Sequence, residues 1–349
     1  MVGGRSTLNM LSIIVRPNMA RHYSFKQLHN IDVEKCSTTD DVLSAMREGS
    51  FGGRELGRAW SVLQEVMSRP SCDLILTISG ALSVAQLGTI FGSLIEKGIV
   101  KCVITTGALV THCFVEEVGL HHYVAPERIP DDILLKRKLN RIYDSLEPES
   151  NLETLEQQTR KALSSFPPNG GMGSYELIRN LSAALFDSRE PKGLLGAALR
   201  KKVDVFVPAL IDSELGLYVF HYLSDKHKEN TLYDPIRDLK RYAEWMSGRN
   251  EVAFLTLGGG VPRNWGQQMI PYLRSVQGTD RGKKKPSVFA GVRICPDTVQ
   301  LGHLSGSTYS EGVSWGKFNT ATKDRLVEVF ADATVVFPFL AKAMLEFRR

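Results

Sequence analysis

The residues of this chain best suited to covalent chemistry lie in Glu311-Gly-Val-Ser314-Trp315-Gly316-Lys317. A lysine next to a glycine and two residues from an indole can act as an amine nucleophile, because partial desolvation disfavours the ammonium and leaves more free base to attack carbon. Such an amine forms Schiff bases. The same residues also describe a solvated lysine beside a half-buried tryptophan, since most lysines face water. Three further stretches could hold a nucleotide: Ser79-Gly80-Ala81, Thr105-Thr106-Gly107 and Gly258-Gly259-Gly260. Glycine after a strand lets backbone amides approach phosphate, and a following helix start favours negative charge. None spells G-x-G-x-x-G, so a dinucleotide site and three structural turns both stay open on these residues alone.

The elements that must position these groups are apolar runs separated by helical patterns. Asp73–Ile78, Val100–Thr106, Val203–Pro208, Val252–Leu257, Ser287–Ile294 and Thr334–Phe337 read as six buried strands. Between them, Leu56, Ala59, Trp60, Leu63, Val66 and Met67 recur at three- and four-residue spacing, and Leu87–Ile95, Ile236–Met246 and Asn264–Leu273 are also helical in pattern. The expected fold is α/β, a doubly wound, mostly parallel Rossmann-like sheet whose ligands settle at the carboxyl ends of the strands. Residues 1–50 are expected to wrap a catalytic domain spanning 51–349, with a helix start at Thr38-Thr39-Asp40-Asp41. Residues 125–190 read as a helical insertion (Ile133–Leu146, then Asn151–Ala162) ending in the loop Phe166-Pro-Pro-Asn-Gly-Gly-Met-Gly173.

Composition narrows the classes. A chain of 349 residues, 43% hydrophobic and 23% charged, suits a globular protein with a substantial core. A net charge of +5 is too mild for a nucleic-acid surface, and the basic run Arg281-Gly-Lys-Lys-Lys285 reads as a solvated loop. The five cysteines show no C-x-x-C pair and no metal-like spacing, which points to reduced thiols, a cytoplasmic setting and no metal. Met10–Val15 is far too short to span a membrane.

The segment Glu-x-x-Ser-Trp-Gly-Lys resembles the active-site signature of deoxyhypusine synthase, and the resemblance extends over residues 50 to 340. It implies that Lys317 is the nucleophile, that Glu311 anchors an ammonium end of the substrate, and that Trp315 walls its methylenes. It further implies an NAD site made by Ser79, Gly80, Ala81, Thr105, Thr106, Gly258, Gly259, Gly260, Asp332 and the Asp212 of Pro208-Ala-Leu-Ile-Asp212-Ser-Glu-Leu-Gly216. The substrate is then a polyamine, whose aminobutyl group passes through a lysine imine to an amine, either a free diamine or the lysine of translation factor 5A. A homotetramer with sites at the dimer interface is implied as well.

Departures from the family pattern bear on substrate choice. The family's proton-shuttling histidine corresponds to Asn264, which cannot act as a base. Carboxylates are replaced at Leu217 and Leu304, and the paired acids after the second cofactor turn become Thr111-His112. Gln268, in the helical pattern after Asn264, is taken as a substrate contact. The lost proton-transfer role is expected to pass to His112 or His303, histidine being the side chain that titrates near neutrality. A catalytically silent paralogue acting as a partner subunit is the competing expectation.

Overall fold

The computed structural model describes residues 26–166, 171–225, 232–276 and 286–347. The run Met10–Val15, most of the Phe166–Gly173 loop's first half and the basic run Arg281–Lys285 lie outside them. The chain enters through α1 (Thr39–Arg47), which begins where the sequence signals it. Thr38 Oγ1 accepts from the Asp41 amide at 3.1 Å while Asp41 accepts from the Thr38 amide at 2.8 Å, a reciprocal cap that satisfies two helix-end donors. Then α2 (Phe51–Met67) buries Leu56, Ala59, Trp60, Leu63, Val66 and Met67, one stripe at helical spacing.

Strand β1 (Cys72–Ile78), helix α3 (Gly88–Glu96) and strand β2 (Val100–Ile104) follow, and α4 (Gly107–Glu117) starts at the N-cap Thr106. After a peripheral region the sheet resumes with β6 (Asp204–Phe206), β7 (Glu251–Leu257), β8 (Ser287–Ile294) and β9 (Leu326–Val329). These strands form one sheet in the order β6-β2-β1-β7-β8-β9, every neighbouring pair parallel. From β1 the chain winds outward to β2 and β6, then returns to the other side of β1 for β7, β8 and β9. The order therefore reverses between β1 and β7, which is where open parallel sheets present a ligand crevice.

The runs are continuously apolar because both faces of the sheet are covered. Leu74, Leu76 and Ile78 of β1 pack into one core with Trp60, Phe91 and Phe337, whereas Ile75 packs into a second core with Phe254, Tyr242 and Met269. The second layer is supplied by α10 (Pro235–Ser247) and α11 (Gly260–Val276). Among the described residues, no helix is long and apolar enough to cross a membrane.

Two expectations about elements are corrected. Thr334–Phe337 is not the sixth strand; it opens helix α13 (Ala333–Glu346), and the sixth strand is β9. A short apolar run cannot by itself distinguish a buried strand from a buried helix, and the Asp332 carboxylate decides for the helix by accepting from the Thr334 amide at 2.7 Å. Nor is Ile133–Leu146 one helix. Helix α5 (Asp131–Lys136) stops early, and β4 (Leu139–Ile142) turns through Tyr143 (φ 55°) and Asp144 into β5 (Ser145–Pro148). With β3 (Tyr123–Val124) these make a small antiparallel sheet ordered β3-β5-β4, followed by α6 (Glu149–Ser164), α7 (Ser174–Phe186) and α8 (Leu194–Lys201). Its strands run only two to four residues, too short to show a two-residue alternation.

Candidate active site

The lysine is presented by a helix end. The short helix α12 (Tyr309–Ser314) is capped by Thr308, whose hydroxyl accepts from the Glu311 amide at 3.1 Å, and its first residue is tied to β9 by the Tyr309 amide donating to Glu328 at 2.6 Å. At its other end Gly316 is left-handed (φ 70°), its amide donates to Val313 O at 3.0 Å and the Lys317 amide to Gly312 O at 2.9 Å. This double bond pattern closes a helix only when a residue without Cβ strain sits at the left-handed position, which explains the glycine before the lysine. Gly312 has its own reason: a Cβ there would lie 2.9 Å from the Phe318 ring, which packs edge-on against Tyr309. Arg274 of α11 then donates to Gly316 O at 2.7 Å and docks the whole turn on that helix.

Docked in this way, Lys317 Nζ lies 2.8 Å from Asn264 Oδ1, just beyond the triple glycine. The lysine is half-buried. Its pKa is lowered from the ordinary value of 10.5, first by burial and then by the Arg263 guanidinium, with Glu311 opposing. Arg263 is itself buried and donates to Ser307 O at 2.7 Å and to the Ser307 hydroxyl, while Nε and one terminal nitrogen have no hydrogen-bond partner among the described residues. An amide suits a lysine that changes charge. Its oxygen accepts from the ammonium and, turned over, its NH2 donates to the free amine, while the amide itself takes up no proton.

The glycine-lined turns converge at the carboxyl edge of the sheet, at the β1–β7 reversal. Ser79 Oγ accepts from the Gly259 amide at 3.0 Å and donates to Gly259 O; Thr106 Oγ1 donates to Gly80 O at 2.7 Å; Thr105 Oγ1 donates to Ile78 O at 3.1 Å. These hydroxyls stitch the three strand ends together. Gly80 and Gly258 are left-handed (φ 70° and 79°) and a Cβ on Gly80 would meet nothing within 4 Å, whereas one on Gly259 would lie 2.6 Å from the Ser305 backbone. A dinucleotide fits this edge. Gly80 leaves its backbone open to close approach, α4 and α11 both begin there, and Asp212 stands exposed beyond β6. Ala81 follows Gly80 in the same turn, and Asp332, beyond β9, caps α13.

Comparison with known proteins gives the family and the fold. The sequence matches the deoxyhypusine synthase family over residues 41–344. The chain belongs to that family. An Archaeoglobus fulgidus protein named "Probable deoxyhypusine synthase 2" is 30% identical over 305 residues, which cover 87% of this chain and 97% of the relative. A "Deoxyhypusine synthase-like protein" of Caulobacter vibrioides is 26% identical over 306 residues, covering 86% of this chain and 81% of the relative. In fold, the chain is similar to the crystal structure of "a putative deoxyhypusine synthase from Entamoeba histolytica", with a TM-score of 0.62 at 16% identity, over 92% of this chain and 98% of that one. Deoxyhypusine synthases are transferases that use NAD.

Within this family frame the expected site residues differ in their surroundings. Trp315 is 69% exposed and does not shield Lys317 within one chain; burial against α11 and the charge of Arg263 depress the amine instead. Glu311, Leu217 and Leu304 are exposed as well. Gln268 lines a groove of about 1030 Å³ between α10 and α11 together with Trp265 and Tyr272, and Lys317 is not among its walls. His112 is buried and its ring meets His122 and Glu147. His303 is exposed and its Nδ1 lies 3.5 Å from Asp297.

Sequence reading missed the groups that hold the lysine turn, namely Arg263, Arg274, Ser307 and Glu328. One signal was available. Arg293 interrupts the buried run of β8, and a charge in such a run needs partners; it finds the Ser305 and Ser307 carbonyls and Glu328 at 3.2 Å.

Proposed function

We propose that this chain is an NAD-dependent transferase that moves the aminobutyl group of spermidine, by way of an imine on Lys317, to a second amine. The single observation that carries this reading is Lys317 Nζ on Asn264, half-buried and with its pKa depressed, beside the glycine-lined edge that fits a dinucleotide. Held by Ser79, Gly80, Ala81, Thr105, Thr106, Gly258, Gly259, Gly260, Asp212 and Asp332, NAD supplies hydride removal from the carbon beside the secondary amine and its later return.

The free amine of Lys317 adds to the oxidised carbon of spermidine, the C–N bond to 1,3-diaminopropane breaks, and the aminobutyl group stays on Nζ as an imine. An incoming amine displaces Lys317 by transimination. Glu311 pairs with a terminal ammonium, which a cation leaving water requires. Trp315 offers its indole face to the cationic and methylene parts. Asn264 orients Nζ in both charge states without taking a proton. Trp315, Leu304, Leu217 and Val261 are all exposed, and we assign a second copy of the chain, within a homotetramer, to cover them and exclude water from the imine. The acceptor is either a small free diamine or the lysine of translation factor 5A, and the loss of carboxylates at Leu217 and Leu304 bears on that choice. All five cysteines are free thiols, in keeping with a cytoplasmic enzyme.

The test is borohydride trapping with NAD and spermidine, followed by peptide mass analysis and a turnover screen of putrescine against translation factor 5A. An aminobutyl adduct on the Lys317 peptide is expected. A clean peptide across a panel of polyamines would overturn the proposal in favour of a silent paralogue, the reading that Asn264 in place of a base supports.

A further inference from the structure

Helix α4, which starts at the second cofactor turn, carries His112 on its second turn, and a separate polar cluster assembles there. His112 Nδ1, His122 Nε2 and Glu147 Oε2 form a triangle with sides of 3.0 Å between the two rings, 3.1 Å from His112 to Glu147 and 3.6 Å from His122 to Glu147. The three side chains are only 7%, 3% and 1% exposed. Around a tetrahedral zinc with ligands at about 2.0–2.1 Å, donor atoms stand about 3.3 Å apart. The triangle thus has the dimensions of one face of such a tetrahedron. Two imidazoles and one carboxylate are also a donor set that zinc takes.

The surroundings fit an ion. His122 Nδ1 lies 2.6 Å from Glu116 Oε1, an outer carboxylate that orients the ring with Nε2 turned to the other donors. With Nδ1 so engaged in a neutral ring, Nε2 is a lone pair. Among the described residues Glu147 Oε1, Tyr218 Oη and Glu214 Oε2 are buried with no hydrogen-bond partner, and the Tyr218 phenol, pushed up first by burial, also feels the charges of Glu214 and Glu147. Leaving one buried polar atom unmet costs about 1–3 kcal/mol, more for a charged one. An ion with its bound water is the kind of occupant that meets several at once.

We propose that His112, His122 and Glu147 bind a divalent transition-metal cation, zinc fitting best, which clips the β3-β5-β4 sheet to helix α4. His122 immediately precedes β3, Glu147 lies on β5 and His112 on α4, so one ion joins elements that otherwise meet through side chains. The rival occupant is a proton: a charged His122 held between Glu116 and Glu147 also satisfies the facing nitrogens.

Untagged protein, stripped with chelator and dialysed, is titrated with Co²⁺ while its visible spectrum is recorded. Uptake of about one Co²⁺ per chain with the strong bands of low coordination number, displaced by Zn²⁺, is expected. Zn²⁺ should raise the Tm of the stripped protein. His122→Gln and Glu147→Gln should abolish uptake, while His221→Gln, an exposed histidine, retains it. No stoichiometric uptake by the unaltered chain overturns the proposal and leaves the proton in place; uptake that survives both ligand substitutions overturns it too. The titration of the unaltered chain decides even if a variant fails to fold.

Discussion

Lys317 and His112 occupy opposite surroundings. Among the described residues the lysine amine donates to Asn264 alone, on an edge left open by exposed Glu311 and Trp315. The His112 ring is enclosed by a second imidazole and a carboxylate, with another carboxylate behind. An amine meant for transient bonding needs a weak, neutral partner that a substrate can replace. Groups locked by several charged neighbours resist movement, because separating them leaves a charge buried and unpaired. The contrast is one of access: the amine keeps an open outer side and a single neutral partner, whereas the ring is closed in by an imidazole and a carboxylate.

The largest effect that would break the comparison concerns the lysine. Lys317→Ala and Lys317→Arg should each lower transfer by about 10³-fold or more and abolish the trapped adduct, because arginine keeps the charge but supplies no free amine. Turnover assays and adduct mass analysis check this; an active Lys317→Arg would show that the amine only anchors charge.

His112→Gln should act the other way round. Breaking the buried cluster is expected to lower stability by about 3 kcal/mol in denaturant unfolding, while the trapped adduct per folded chain changes less than about threefold. A collapse of adduct formation in a protein of unchanged stability would return His112 to the chemistry.

A base restored beside the amine sharpens the contrast further. Asn264→His should raise turnover by about tenfold at neutral pH, within the range of general-base contributions. No gain, measured as kcat at saturating spermidine and NAD, would place the proton acceptor on another group.

The smallest expected effect is a shift in pH dependence. The free amine is the reactive form, so labelling of Lys317 by an amine reagent should rise with pH to a plateau below the ordinary 10.5. Glu311 favours the ammonium, so Glu311→Gln should move the rising limb to lower pH. The linkage sign agrees: a lysine whose folded pKa is depressed weighs against the fold while protonated, and stability rises with pH between its folded value and 10.5. A limb displaced to higher pH in the labelling profile would show that Glu311 does not act on this amine.

Much of the architecture was legible because its signals are local. Five of the six expected strands lie in the sheet, since a parallel sheet covered on both faces demands unbroken apolar runs. The residues proposed for the cofactor fall along one sheet edge because ligand turns follow strand ends. What escaped were the choices made by partners distant in sequence: α13 over a strand at Thr334–Phe337, the β4–β5 hairpin within a charged stretch, and the setting of His112. Trp315 escaped for another reason, since adjacency to the lysine in sequence does not put an indole over the amine.

By itself, then, the sequence determined the alternating α/β order and the lysine turn. Apolar periodicity, the Thr38 cap and the left-handed Gly316 act within a few residues of themselves, and the candidate residues Glu311 to Lys317 lie in one segment. Only the tertiary structure decided which groups face one another. Asn264 meets Lys317 because Arg274 and Glu328 dock α12, and His112, His122 and Glu147 meet because a small sheet folds back onto α4. Contacts across such separations are set by packing and ion pairing, which leave no spacing to read along the chain.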